Sequence, residues 1–162
     1  MPPGLLVIPV EAAAEMERAL RREARRADAV VMAAAVSDFK PVRVAAAKLP
    51  RRAGLTLRLR ATPDLVARLP RRGRQVVAGF ALETDRALAR AARKLRAKRL
   101  DLVLAQQTNG HGGPFGRQPV RAWLLTKRGS PQRLGRVSKR AIARALLDKL
   151  EALWYGQRRS GG

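Results

Sequence analysis

Apolar positions recur along this chain at two spacings, and segments of the two kinds take turns. Residues 5–9 form a short apolar, strand-like run. Over residues 12–26, Ala13, Met16, Leu20 and Ala24 fall near one helical face. Residues 29–36 are apolar throughout, the pattern of a strand covered on both faces. Over residues 55–60, Leu55, Leu57 and Leu59 alternate with Thr56, Arg58 and Arg60, which predicts a half-exposed strand. Thr62-Pro63-Asp64 opens a short helix: a capping hydroxyl, a proline in the first turn, an acid near the positive end of the dipole. Residues 75–80 read as another strand. From 84 to about 99, Leu88, Ala91, Ala92 and Leu95 keep the spacing of an amphipathic helix.

Residues 100–105 return to strand, and residues 107–116, with four glycines and a proline, predict a loop. Residues 120–126 and 132–137 predict a hairpin. Ser138 caps a last helix to about Trp154, and residues 156–162 predict a flexible tail. Strands alternating with helices imply an α/β fold, here a Rossmann-like three-layer sandwich with a mostly parallel sheet plus a C-terminal hairpin and helix. No repeat or linker divides residues 1–155, so they form one domain. Such sheets bind ligands in the loops after the carboxyl ends of their strands.

Composition narrows the chemistry. The chain has no cysteine, which excludes a disulfide framework, a thiolate metal site and a thiol nucleophile, and its one histidine, His111, weighs against a multi-His metal site or a Ser-His-Asp arrangement. Its longest uncharged apolar run, residues 29–37, is far short of the ~20 residues of a membrane span. The first residues, Met1-Pro2-Pro3-Gly4, carry no basic leader, so the expected location is the cytoplasm, with no membrane partner. The net charge of +23 invites a nucleic-acid reading by counterion release. Arginines outnumber lysines 28 to 7 and spread from Arg18 to Arg159, which reads equally as compositional bias. Six aromatics give weak support to a base-stacking platform.

Four segments carry candidate chemistry. At residues 33–41 small residues end a strand, allowing close approach of a ligand, and Asp38 follows; tight packing and a turn cap explain them too. Pro63-Asp64-Leu65-Val66 reads as an ordinary capped start or a polar-ligand site. Phe80, beside Gly79, is either core or a stacking face. Lys94 and Lys98 lie on one helix flank at i, i+4, where a shared anion would relieve their repulsion; a solvated face is the alternative. Neither a P-loop nor a Gly-x-Gly-x-x-Gly occurs.

Taken in order, these segments resemble the phosphopantothenate–cysteine ligase (phosphopantothenoylcysteine synthetase) half of the bacterial coenzyme A biosynthesis flavoprotein. The resemblance runs from about Pro2 to Tyr155. It rests on Ala34-Ala35-Val36-Ser37-Asp38-Phe39, Lys48 ten residues after Asp38, Pro63-Asp64-Leu65-Val66, Gly79-Phe80-Ala81-Leu82-Glu83-Thr84, and a helix end with Lys94, Lys98 and Asp101. That family ligates cysteine to 4′-phosphopantothenate, consuming CTP through an acyl-cytidylate with Mg²⁺.

The resemblance implies that Met32, Ala33, Ala34 and Asp38 contact the nucleotide and that Lys48 is the catalytic, phosphate-binding lysine. It implies that Pro63, Asp64, Leu65 and Val66 hold the cytosine through main-chain groups, with Phe80, Lys94 and Lys98 completing the CTP site. No Mg²⁺ ligands follow from it. It further implies a homodimer through strands near the flap, for which residues 55–60 and 120–137 are candidate edges.

The sequence departs from the family in four places, three of them within the matched stretch. The flap reads Lys48-Leu49-Pro50-Arg51-Arg52, Gln106-Gln107 stands where Ala-Asn is usual, and Phe115-Gly116-Arg117-Gln118-Pro119 lacks the usual asparagine. The family's first strand, Gly-rich turn and Ser-Ser-Gly segment have no counterpart. The chain is therefore expected to supply the nucleotide-binding part, as a fragment, as a split gene product whose partner is a separate chain carrying that segment, or as a remnant with altered function. The alternatives from other classes are a non-catalytic partner subunit and a basic nucleic-acid-binding α/β module.

Overall fold

The computed structural model describes residues 4–51, 54–108 and 118–159. Its elements, in chain order, are α1 (Ala13–Glu23), β1 (Ala29–Met32), β2 (Phe39–Pro41), β3 (Leu59–Ala61), β4 (Val76–Glu83), α2 (Ala87–Ala97), β5 (Leu102–Gln107), β6 (Val120–Thr126), β7 (Gln132–Val137) and α3 (Lys139–Arg159). Five strands form one sheet in the order β1-β4-β5-β6-β7, and β2 pairs with β3 in a separate ribbon. β1, β4 and β5 run parallel, and β6 and β7 add antiparallel. The sheet is thus a parallel centre with a hairpin on one side, as the alternating pattern implies.

Side chains alternate across this sheet into two cores. Val77, Ala81, Val103 and Ala105 point one way and pack with Ala24, Ala91 and Leu95, so α1 and α2 share that face. Val76, Ala78, Leu102 and Leu104 point the other way and meet Ile142, Leu146 and Leu150 of α3. Each large aliphatic side chain so buried stabilises the fold by roughly 1.5–3 kcal/mol. β4 and β5 are covered on both faces, which is why they read as unbroken apolar runs. Gln75 ties α1 to this frame: its buried amide donates to the carbonyls of Ala24 and Ala27 just past the helix end. Asp101 does the same at the start of β5, accepting from the Val77 N–H while pairing with Arg71 at 3.0 Å and Lys127 at 2.6 Å.

Several expectations need correction. Residues 5–9 form no strand and Leu5, Leu6 and Val7 are exposed, because no neighbour strand among the described residues pairs with them. The apolar run at 29–36 gives a strand only at Ala29–Met32, which lies at the sheet edge and leaves Val31 41% exposed instead of covered. The alternating stretch 55–60 contributes only its end to β3, and Leu55, Leu57 and Leu59 are all exposed because no layer among the described residues covers them. Residues 62–69 make a capped turn and not a helix: Asp64 Oδ1 accepts from the N–H groups of Val66 and Ala67, and the turn bonds end at Leu69. α3 continues through Arg159, so residues 156–159 are helical where a flexible tail was expected; residues 160–162 lie outside the described residues. His111 and most of the glycine-rich loop, with Phe115, Gly116 and Arg117, also lie outside them.

Candidate nucleotide site at the carboxyl ends of β1 and β4

β1 ends at Met32, and the small residues Ala33, Ala34 and Ala35 leave the backbone open where the chain turns away. The turn at Pro63-Asp64-Leu65-Val66 folds in beside them, held by the bond from the Thr62 N–H to the Asp38 carbonyl at 2.8 Å. β4 contributes Gly79, Phe80 and Leu82, and α2 contributes Lys94 and Lys98 from one flank. Together they line a cavity of about 490 Å³, within the range of small-ligand sites.

Of the twelve residues singled out for the nucleotide, eleven border this cavity: Met32, Ala33, Ala34, Asp38, Pro63, Asp64, Leu65, Val66, Phe80, Lys94 and Lys98. Lys48 does not. It sits in the exposed stretch between β2 and β3, where even Val44 is 87% exposed, and no packing there draws the lysine inward. Phe80 stands between the α3 core and the cavity, packing partly on the first and bordering the second.

The cavity carries charged groups of both signs, Lys94 and Lys98 against Asp38 and Asp64. Lys94 donates its ammonium to the Phe80 carbonyl, which pins it against the strand. Burial lowers its pKa, the Lys98 charge lowers it further, and Glu83, Asp64 and Asp38 pull it back up without restoring it. Lys98 pairs with Asp64 at 2.9 Å. Burial pushes the Asp64 carboxyl upward, but the hydrogen bond from Lys98, the N–H groups of Ala67 and Val66 and the Lys98 charge outweigh it, and its pKa ends lowered. Two ammonium groups thus share one cavity with one engaged carboxylate and one exposed one, Asp38.

Gln106, which the sequence motifs did not assign to the site, also lines the cavity, as does Thr62 at the start of the Pro63–Val66 turn. Gln106 was legible as the residue after the apolar run of β5, at a carboxyl strand end, but was noted only as a departure from a family pattern. Gly79 was noted for its neighbour alone. A Cβ there would stand 2.9 Å from Leu100 Cδ1, and Leu100 itself lines the cavity, so the glycine keeps the strand tight against its floor.

The chain is 33% identical over 150 residues to a cysteine/cysteine sulfinic acid decarboxylase of an unknown prokaryotic organism, covering 91% of this chain and 42% of that protein. It is 34% identical over 155 residues to the coenzyme A biosynthesis bifunctional protein CoaBC of Bacillus subtilis strain 168, covering 94% and 38%. The chain therefore spans about two fifths of the curated relatives it matches. Among solved structures, the C-terminal domain of a coenzyme A biosynthesis bifunctional protein CoaBC superposes with a TM-score of 0.71 at 25% identity, covering 92% of this chain and 68% of that one. The DNA/pantothenate metabolism flavoprotein from Streptococcus pneumoniae shares the fold, with a TM-score of 0.70 at 19% identity, covering 93% and 72%. The family pattern of the DNA/pantothenate metabolism flavoprotein C-terminal domain matches residues 1–153. The ordered motifs, the parallel sheet with its added hairpin and this match agree: the chain belongs to the DNA/pantothenate metabolism flavoprotein C-terminal domain family.

Proposed function

We propose that this chain is the nucleotide-binding part of a phosphopantothenate–cysteine ligase that takes CTP and forms an acyl-cytidylate. The observation that carries this reading is the convergence of four separated segments on one cavity beside Lys94 and Lys98. In the proposed reaction a carboxylate oxygen of 4′-phosphopantothenate bonds to the α-phosphorus of CTP, and pyrophosphate leaves. The cysteine amine then attacks the acyl carbon, loses a proton and forms the amide as CMP departs. Both partners of the first step are anions, so positioning and charge neutralisation make up most of the catalysis. No histidine or thiol is needed for that.

Within the cavity, Lys94 and Lys98 would meet the triphosphate, and the main-chain groups around Pro63–Val66 would meet the amino and carbonyl edge of cytosine. Lys48 would reach the phosphates only through movement of the exposed stretch that carries it. Among the described residues no group of three or more His, Cys, Asp or Glu gathers to hold a metal. Asp38 fits a Mg²⁺ carried in on the triphosphate, since that ion is commonly held by one or two carboxylates with phosphate oxygens. When bound there it would share in neutralising the phosphate charge.

Homodimerisation through the β2–β3 ribbon is proposed on the exposure of Phe39, Val42, Leu55, Leu57 and Leu59. No helix among the described residues is long and apolar enough to cross a membrane; a cytoplasmic location is proposed with that. The function is tested by thermal melting with nucleotides. CTP at a hundredfold excess over its Kd should stabilise the chain by about 2.7 kcal/mol. Equal stabilisation by ATP would contradict the cytidine assignment, because a purine presents a larger and different edge.

A further inference from the structure

The register of the C-terminal hairpin sets two arginines against each other. Arg121 on β6 pairs directly with Arg136 on β7, and past the bulge Trp123 pairs with Arg133. Directly paired residues project from one face, where like charges destabilise the pair. That face is the one turned toward α2, since Trp123 and Leu125 pack with the α1–α2 core while Ala122 and Leu124 pack with α3. Gly135, at φ +79°, absorbs the bulge that keeps this alternation in step. α2 packs on β4, β5 and β6, and α3 covers β6 and β7 from the opposite side. Arg121, Arg133 and Arg136 are accordingly exposed, and none of them has an acidic partner among the described residues.

The same face runs into a groove of about 690 Å³ between α2 and the hairpin. Its floor includes Leu95 and Leu125, and its rim carries Arg71, Arg96, Arg99 and Lys127. Asp101 answers Arg71 and Lys127 alone. The groove shares no lining residue with the nucleotide cavity. We propose that this face binds single-stranded nucleic acid, with the arginines following the phosphates and Trp123 supplying a stacking surface. One small anion held by the groove cations would leave Arg121 and Arg136 facing each other unneutralised. A duplex would offer Trp123 no open base. A flexible strand satisfies both demands, and its binding gains from counterion release.

The test uses the Trp154→Phe variant, in which Trp123 is the only tryptophan, titrated with a thymidine oligomer of about twelve nucleotides over a range of salt. Binding should quench Trp123. Combining Arg121→Gln, Arg133→Gln and Arg136→Gln should weaken binding about tenfold or more and lower the salt slope by about two. This variant should melt no lower than its parent, since it loses a like-charge pair. Lys139→Gln, Arg140→Gln and Arg144→Gln remove the same charge from exposed positions on α3, in the opposite layer, and should leave affinity near the parent's. Equal losses in the two triple variants, binding without quenching, equal affinity for a duplex, or no binding at low salt would each overturn the proposal.

Discussion

At the scale of single residues, the site rests on two lysines and the aspartate between them. Asp64 caps the turn and pairs with Lys98, and its carboxyl is held below its ordinary range. The unfolded chain therefore binds that proton more readily than the folded one. The stabilisation is present in full above the ordinary carboxylate value of 3.8 and is lost as pH falls through the lower folded value. Both side chains are about a third exposed, so water screens the pair. Asp64→Asn should lower stability by only about 0.5–1 kcal/mol near neutral pH, with the difference shrinking on acidification, as followed by urea unfolding across the acid range. Lys94 behaves in the opposite sense. Its folded pKa lies below the ordinary 10.5, and its protonated form is the one that meets a phosphate. CTP affinity should fall as pH rises through that lowered value, with a proton taken up on binding in that range. The Lys94→Gln variant should lack that part of the pH dependence, which calorimetry in buffers of different ionisation enthalpy would show.

At the scale of elements, the end of α2 holds a strain that the sequence conceals. Arg99 follows the helix at φ +52°, while the Arg99 N–H bonds the Arg96 carbonyl and the Leu100 N–H bonds the Leu95 carbonyl. This is the closing motif in which glycine usually takes the left-handed place. Arg99→Gly should raise stability by about 1 kcal/mol, read from chemical denaturation; a loss would show that the arginine side chain contributes more than the backbone strain removes. Elsewhere the apolar pattern made elements legible where a layer covers them. β4, α2, β5, the β6–β7 hairpin and most of α3 were legible because their apolar positions meet two cores on opposite sheet faces. β1 and the stretch 55–60 misled for the converse reason. The alternation of Leu55, Leu57 and Leu59 is real, yet an apolar side of a strand needs a partner layer, and among the described residues none lies against it. The site was legible in its residue types and order, because Ala33, Asp38, Asp64, Phe80 and Lys94 stand at strand ends, a turn and a helix flank. The place of Lys48 was not, since nothing local says how far an exposed loop stands from a cavity.

At the scale of the whole molecule, charge and exposed apolar surface pull apart. A net charge of +23 repels itself within one compact body. Added salt should therefore raise the melting temperature, and a fall would mean that attractive pairs outweigh the repulsion. The ribbon β2–β3, with its exposed leucines, should hold two copies together, as light scattering at micromolar protein would show, and Leu57→Glu should return the chain to a monomer. The central claim is narrower than either: the cavity under β1 and β4 is where the nucleotide binds. Calorimetric titration of CTP into the parent, Lys94→Gln, Lys98→Gln and Arg96→Gln chains tests it most directly. Charge-assisted contacts of roughly 1.5–3 kcal/mol predict a loss of about ten- to a hundredfold for each lysine variant. Arg96 lines the other groove and should change little, and Lys48→Gln should weaken binding less than either cavity lysine. Parental affinity in both Lys94→Gln and Lys98→Gln would contradict the account and place the nucleotide elsewhere.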